Sequence, residues 1–237
     1  MVMQDITTSY IAVAKQKVTH PWWVTFLLAI VAGACIGFAG AAATAVFQST
    51  DSIVLKATVF PTGLILITML GAELFTGNCL LVCPMITQDV RAEKVFKNLG
   101  LVYIGNLLGA ILVAGLTFMC FDFQTPVKPN IDLDHMLRAF TMAVPCNILV
   151  CLAVILAAHQ KTLLQKCIAL FIPIFIFVVC GMEHSIANMY YIFVDIFNGQ
   201  TTFGEGILYS ILPSSLGNIL GGIAIATLFS LTQLKKE

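Results

Sequence analysis

Six apolar stretches, at about residues 22–48, 57–88, 97–120, 136–158, 164–197 and 206–231, alternate with short polar or turn segments along this chain. Each reaches or exceeds the roughly 20 residues that an α-helix needs to cross a hydrocarbon layer. Lipid offers the peptide group no hydrogen-bond partner, so a chain of this pattern has to satisfy its backbone inside helices. The expected fold class is an all-α membrane protein with six transmembrane helices. Composition agrees, with 59% hydrophobic and only 10% charged residues, against about 25% charged in soluble domains. A soluble enzyme and a nucleic-acid-binding protein are both excluded.

The second and fifth stretches are too long for one straight helix, and glycine and polar residues interrupt them; they read as broken helices. The first stretch follows Met1 to Pro21 and is too long for a signal peptide, so it is expected to remain as a span. Residues 1–21 form an expected cytoplasmic N-terminal segment. In it Ile6, Tyr10, Val13, Ala14 and Val18 recur at helical spacing, which suggests a short helix along the membrane surface; a frayed polar tail is the alternative. Residues 22–231 make the pore domain, and 232–237 a cytoplasmic tail. Lys15, Lys17, Arg91, Lys94, Lys97, Lys161, Lys166, Lys235 and Lys236 fall on one side of a six-span layout, and only Lys56, Lys128 and Arg138 on the other. That bias puts both termini in the cytoplasm of a multi-pass protein of the cell membrane.

The eight cysteines include no CxxC pair; Cys79 and Cys83 come closest, while Cys35, Cys146, Cys151 and Cys180 lie inside apolar spans. The pattern is neither a disulfide framework nor a zinc site, and no metal or cofactor is expected.

The chain also resembles itself. An offset of about 110 residues brings Gly71-Ala72-Glu73 onto Gly181-Met182-Glu183 and Asn78 onto Asn188. Gly105-Asn106-Leu107-Leu108-Gly109 falls on Gly217-Asn218-Ile219-Leu220-Gly221 at an offset of 112, and Cys35 lies near Cys146. Repeats of about 22–120 and 136–231 hold three spans each; an odd number per repeat makes the two inverted. Of the carboxylates, only Glu73 and Glu183 sit at membrane depth, at equivalent places in the broken helices. The breaks mark a pathway, because irregular backbone survives at that depth only beside protein or water. Half-helices are expected to begin at about Asn78 and Asn188, with free N–H groups and positive dipole ends facing inward, an arrangement that favours anions. Glu73 and Glu183 are then expected to accept hydrogen bonds from the broken backbone rather than line a cation path.

His184 is the only one of four histidines at membrane depth. An ionisable group there marks a substrate, ion or proton site by default; the plainer role is a hydrogen-bonded tie within the broken helix.

The segments Gly71-Ala72-Glu73-Leu74-Phe75-Thr76-Gly77-Asn78, Gly181-Met182-Glu183-His184-Ser185-Ile186-Ala187-Asn188-Met189-Tyr190, Gly217-Asn218-Ile219-Leu220-Gly221-Gly222 and Pro145-Cys146-Asn147-Ile148-Leu149-Val150-Cys151-Leu152-Ala153 closely resemble the formate/nitrite transporter family over nearly the whole chain. The resemblance implies a homopentamer of aquaporin-like protomers in the lipid bilayer, each with a pore for small monovalent anions of weak acids and their protons: formate, nitrite, hydrosulfide and, in some relatives, lactate. It implies that His184 is the central pore histidine, with Thr76 its hydroxyl partner. Phe60, Leu64, Leu74, Phe75 and Phe177 take the places of the apolar constrictions, and Asn147 and Asn218 those of asparagines lining an outer vestibule. The family's vestibule lysine, placed before the fourth helix, aligns with Ile131, and Lys128 lies three residues earlier. Gly77 resembles the nitrite and hydrosulfide types more than the formate type.

A bare anion in an apolar constriction carries a Born penalty of order tens of kcal/mol. Protonation next to His184 would remove most of it and make transport depend on pH. Apolar rings can also gate by dewetting, though in a membrane bundle most phenylalanines only pack. An aquaporin-type channel for small neutral solutes also suits six spans and an inverted repeat, but the chain has no Asn-Pro-Ala box. A membrane enzyme finds no support, since no GxSxG surrounds Ser185, Ser214 or Ser215.

Overall fold

A computed structural model describes residues 2–121 and 133–233. The elements run α1 (Val2–Lys17), α2 (Trp22–Thr50), α3 (Ile53–Val59), α4 (Thr62–Leu70), α5 (Phe75–Asn78), a 3₁₀ turn (Cys79–Leu81), α6 (Val82–Ile86), α7 (Ala92–Cys120), α8 (Leu133–His159), α9 (Leu163–Val179), α10 (Ser185–Phe197), α11 (Phe203–Gly206), a π-turn (Ile207–Ile211) and α12 (Leu212–Leu231). Helix is present along each of the six apolar passages of the sequence among the described residues. Five stretches, Trp22–Thr50, Ile53–Leu70, Ala92–Cys120, Leu133–His159 and Phe203–Leu231, are long and apolar enough to cross a membrane unaided. The fifth passage is instead divided between α9 and α10, and Phe75–Ile86 completes the second.

The two repeats are held by the same device. The most extensive helix pairings are α2 with α7 and α8 with α12, and glycines set how closely they approach. A β-carbon on Gly109 would run into the Ile30 carbonyl, and one on Gly221 into the Val144 carbonyl. Small residues matter here because association within lipid depends on close packing rather than on removing apolar surface from water. Large apolar side chains such as Phe38, Leu112, Ile172 and Leu220 point outward and remain exposed, as a surface solvated by lipid requires.

The N-terminal helix forms, but its apolar stripe meets protein. Tyr10 and Ala14 are fully buried in one cluster with Leu80, Leu81, Ile155 and Phe229, and α1 packs on α8, α12 and α6. Gln233 donates to the Gln4 carbonyl, so the two chain ends meet on one face, called the terminal face below. Lys128 and residues 234–237 lie outside the described residues.

Candidate functional site

Both breaks are built alike, residue for residue. α4 ends on Gly71 at φ 64° and α9 is followed by Gly181 at φ 63°, a left-handed turn that glycine adopts without a β-carbon penalty. Ala72 N–H then bonds back to the Ile67 carbonyl (2.9 Å) and Met182 N–H to that of Phe177 (3.0 Å). The next residue reaches sideways: Glu73 N–H bonds to Leu28 O (3.3 Å) and Glu183 N–H to Met142 O (3.4 Å).

One buried asparagine completes each break. Asn106 Oδ1 accepts from Phe75 N–H (2.8 Å) while its Nδ2 donates to the Ala29 and Glu73 carbonyls (2.7 and 2.8 Å). Asn218 Oδ1 accepts from Ser185 N–H (2.8 Å), and its Nδ2 donates to the Ala143 and Glu183 carbonyls (2.8 and 3.1 Å). Asparagine alone among short side chains offers an acceptor and two donors from one planar group. The half-helices therefore begin at Phe75 and Ser185, three residues before the expected Asn78 and Asn188, and their first N–H groups are engaged rather than free. The carboxylates also differ from expectation. Glu73 accepts from the side chains of Asn78 and Lys17, and Glu183 from that of Asn188 (2.7 Å), while the broken backbone is held by Asn106 and Asn218.

His184 is the N-cap of α10, its Nδ1 accepting from Ala187 N–H at 3.2 Å. A backbone N–H can only donate, so Nδ1 carries no proton and the neutral ring is protonated on Nε2. Nε2 lies 2.9 Å from Thr76 Oγ1, and the N–H donates to that hydroxyl. The pairing places the second residue of α5 against the cap of α10. His184 is buried at 3% exposure and Thr76 at 0%.

A cavity of about 600 Å³ opens on the side opposite the termini and reaches His184. Phe60 and Phe177 line it, ring edge to ring face with centroids 5.7 Å apart, and Phe177 lies nearly parallel to the imidazole, 5.9 Å away with planes at 8°. Among the described residues its charged lining is Lys56, Asp51, Glu183 and Asp195. The Lys56 ammonium sits 5.4 Å from the centre of the Phe47 ring, within cation–π range.

A second cavity, of about 260 Å³, opens on the terminal face and includes Leu64, Leu74, Gly77, Glu73 and Asn78. Lys17, at the end of α1, enters it and bonds Glu73 Oε2 (2.9 Å) and Asn78 Oδ1 (3.0 Å). His20 Nδ1 stands 4.0 Å from Glu73 Oε1, and Lys166 also lines the wall.

The structure brings together most of the residues singled out from sequence. Phe60, Phe177, His184, Glu183 and Asn188 line one cavity; Leu64, Leu74, Glu73 and Asn78 line the other. Phe75 lines neither and packs on Tyr103, with centroids 4.8 Å apart. Asn147 and Asn218, expected in an outer vestibule, line neither cavity as well: both are fully buried, with Asn147 donating to the Asn218 carbonyl (2.6 Å). Lys17, His20, Lys56 and Asn106 were missed as site residues. Asn106 was legible as the repeat partner of Asn218, and Lys56 stands one helical turn before Phe60.

Comparison with known proteins agrees with this architecture. The model of the formate/nitrite transporter family matches residues 4–232. A probable formate transporter of Methanothermobacter thermautotrophicus is 33% identical over 98% of this chain and 97% of its own. The formate channel FocA of Haemophilus influenzae is 28% identical over 88% of this chain and 86% of its own. Among solved structures, an FNT family ion channel superposes with a TM-score of 0.80 at 22% identity, covering 98% of both chains. A pentameric formate channel with formate bound gives 0.71 at 28% identity, over 90% of this chain and 98% of the other. These are channels and transporters, not enzymes. The chain is a multi-pass membrane protein and belongs to the formate/nitrite transporter family.

Proposed function

We propose that the protein is a pH-dependent, proton-coupled pathway for small monovalent weak-acid anions such as formate, nitrite or hydrosulfide, and that His184 mediates protonation of the anion between two apolar constrictions. The observation that carries this reading is the pairing of Thr76 with His184 Nε2 at 2.9 Å, flanked by one cavity behind Phe60 and Phe177 and another behind Leu64 and Leu74. Two aqueous cavities that stop at apolar side chains suit a permeant that is charged in water and neutral between them. The formate bound in a 28% identical pentamer supports the substrate class and a homopentameric assembly. The excess of lysine on the terminal face supports a cell-membrane protein with both termini cytoplasmic.

While its cap is intact the imidazole can donate a hydrogen bond from Nε2 but cannot relay a proton, because Nδ1 is engaged by Ala187 N–H. Nε2–H points toward Thr76, and an anion that displaces the hydroxyl receives that hydrogen bond. For the ring to give the proton up, Nδ1 must take another, and Ala187 N–H must first move aside. Proton transfer is thereby coupled to loosening of the first turn of α10, whose dipole already favours negative charge at that end. Phe60, Phe177, Leu64 and Leu74 exclude water and disfavour the bare anion.

Formate flux into proteoliposomes is the test. His184→Asn and His184→Ala are expected to abolish the pH dependence and to lower flux by at least about tenfold. Unchanged flux with an unchanged pH profile would overturn the role of the histidine.

A further inference from the structure

A third cavity, of about 300 Å³, lies beside the terminal-face vestibule, between the end of α1 and the starts of α2 and α7. Its polar lining includes Lys17, His20, Lys94, Lys97 and Asn98, and no carboxylate contributes to it among the described residues. Lys94 and Lys97 make no ion pair among the described residues. Glu73 faces Lys17 and His20 from the neighbouring cavity. Glu93, on the same first turn of α7, is exposed and outside the lining.

Asn98 supplies the second, independent sign of a ligand. It is 5% exposed, its Oδ1 accepts from Asn78 Nδ2 (2.9 Å), and its own Nδ2 is buried without a hydrogen-bond partner. An orphaned buried donor is destabilising, and the atom that satisfies it has to be an acceptor. Lysines, an imidazole and an amide converging on a cavity with no carboxylate in its described lining select an anion, and the volume far exceeds a three-atom carboxylate. The surroundings indicate its source. Trp22, Trp23 and Phe96 stand exposed at 61%, 54% and 65%, next to or within one turn of lining residues. Aromatic residues of this kind mark the headgroup level of a bilayer.

We propose that this cavity binds a phosphate group, carried by the phosphodiester headgroup of an anionic lipid in the leaflet that faces the termini. Phosphate oxygens accept from Asn98 Nδ2 and from the Lys94 and Lys97 ammonium groups, and the acyl chains run outward past Trp22 and Phe96. Basic pockets between transmembrane helices are where such headgroups dock. The depth of the site follows from the membrane orientation proposed above, but its occupancy can be read without any transport.

The experiment is native mass spectrometry of the detergent-solubilised assembly with mixed phosphatidylglycerol and phosphatidylcholine. Preferential retention of phosphatidylglycerol is expected, and Lys94→Gln/Lys97→Gln should reduce it about thirtyfold. Both lysines are exposed, so folding should survive. Lys161→Gln/Lys166→Gln, which removes equal charge on the same face, should change retention less than about twofold. Competition by millimolar inorganic phosphate would assign the site to a soluble phosphate, and its absence to the lipid; either supports a phosphate site. No preference for phosphatidylglycerol, or equal losses in the two double variants, would overturn it. Formate flux in the same variants reports separately on the transport reading.

Discussion

His184 makes two hydrogen bonds that assign its protons without any spectroscopy: Ala187 N–H donates to Nδ1, so Nε2–H donates to Thr76. Thr76→Val keeps the shape and removes the acceptor. We expect about a tenfold fall in formate flux at neutral pH, measured beside Thr76→Ser, which should retain most activity. In the larger cavity Lys56 shares the lining with Asp51, Glu183 and Asp195, and we propose that it draws anions toward His184. Lys56→Gln should raise the concentration for half-maximal uptake about three- to tenfold from that side, most at low ionic strength. Lys128→Gln run in parallel would show which lysine matters. The sequence displayed His184 as the one histidine at membrane depth, and Thr76 was reached only through the resemblance to the family. Lys17, His20 and Lys56 were hidden because a charged residue at the edge of a span looks like any interfacial lysine; only the docking of α1 carries Lys17 to Glu73.

At the level of elements, the breaks depend on partners from other helices. The repeat located both breaks, through Gly71-Ala72-Glu73 and Gly181-Met182-Glu183. It misplaced the half-helix starts by three residues, because Asn78 and Asn188 look like capping residues, whereas Asn106 and Asn218 reach the first N–H groups from α7 and α12. Asn218→Leu strands one donor and two carbonyls, a loss of at least about 3 kcal/mol. Asn106→Leu should match it in thermal melts of the solubilised protein; tolerance of either would contradict the equivalence of the breaks. The N-terminal segment was expected to lie along the membrane surface, whereas α1 seats its apolar stripe on α8 and α12, since such a stripe does not say whether lipid or protein covers it. Lys15 ties α1 to Asp89 at 2.7 Å. Hydrogen bonds from Lys15 first, and then Thr87, hold the Asp89 carboxyl below its usual value. A depressed acid stabilises above the ordinary carboxylate range and loses that contribution as pH falls through its lowered pKa. Proteolysis within α1 should therefore accelerate at strongly acidic pH, modestly because the pair is largely exposed, and Asp89→Asn should remove that pH dependence.

For the whole molecule, the inverted repeat brings two half-helices together so that a hydroxyl from one meets an imidazole from the other, with a cavity on either side. The central claim is that the permeant crosses between the cavities as a neutral acid, and proton stoichiometry tests it most directly. Proteoliposomes loaded with a pH-sensitive dye, given an inward formate gradient and compared with protein-free vesicles, should acidify by one proton per formate taken up, with uptake unchanged when a potassium gradient and valinomycin set the membrane voltage. Formate uptake that follows the imposed voltage and leaves the lumen pH unchanged would contradict the account.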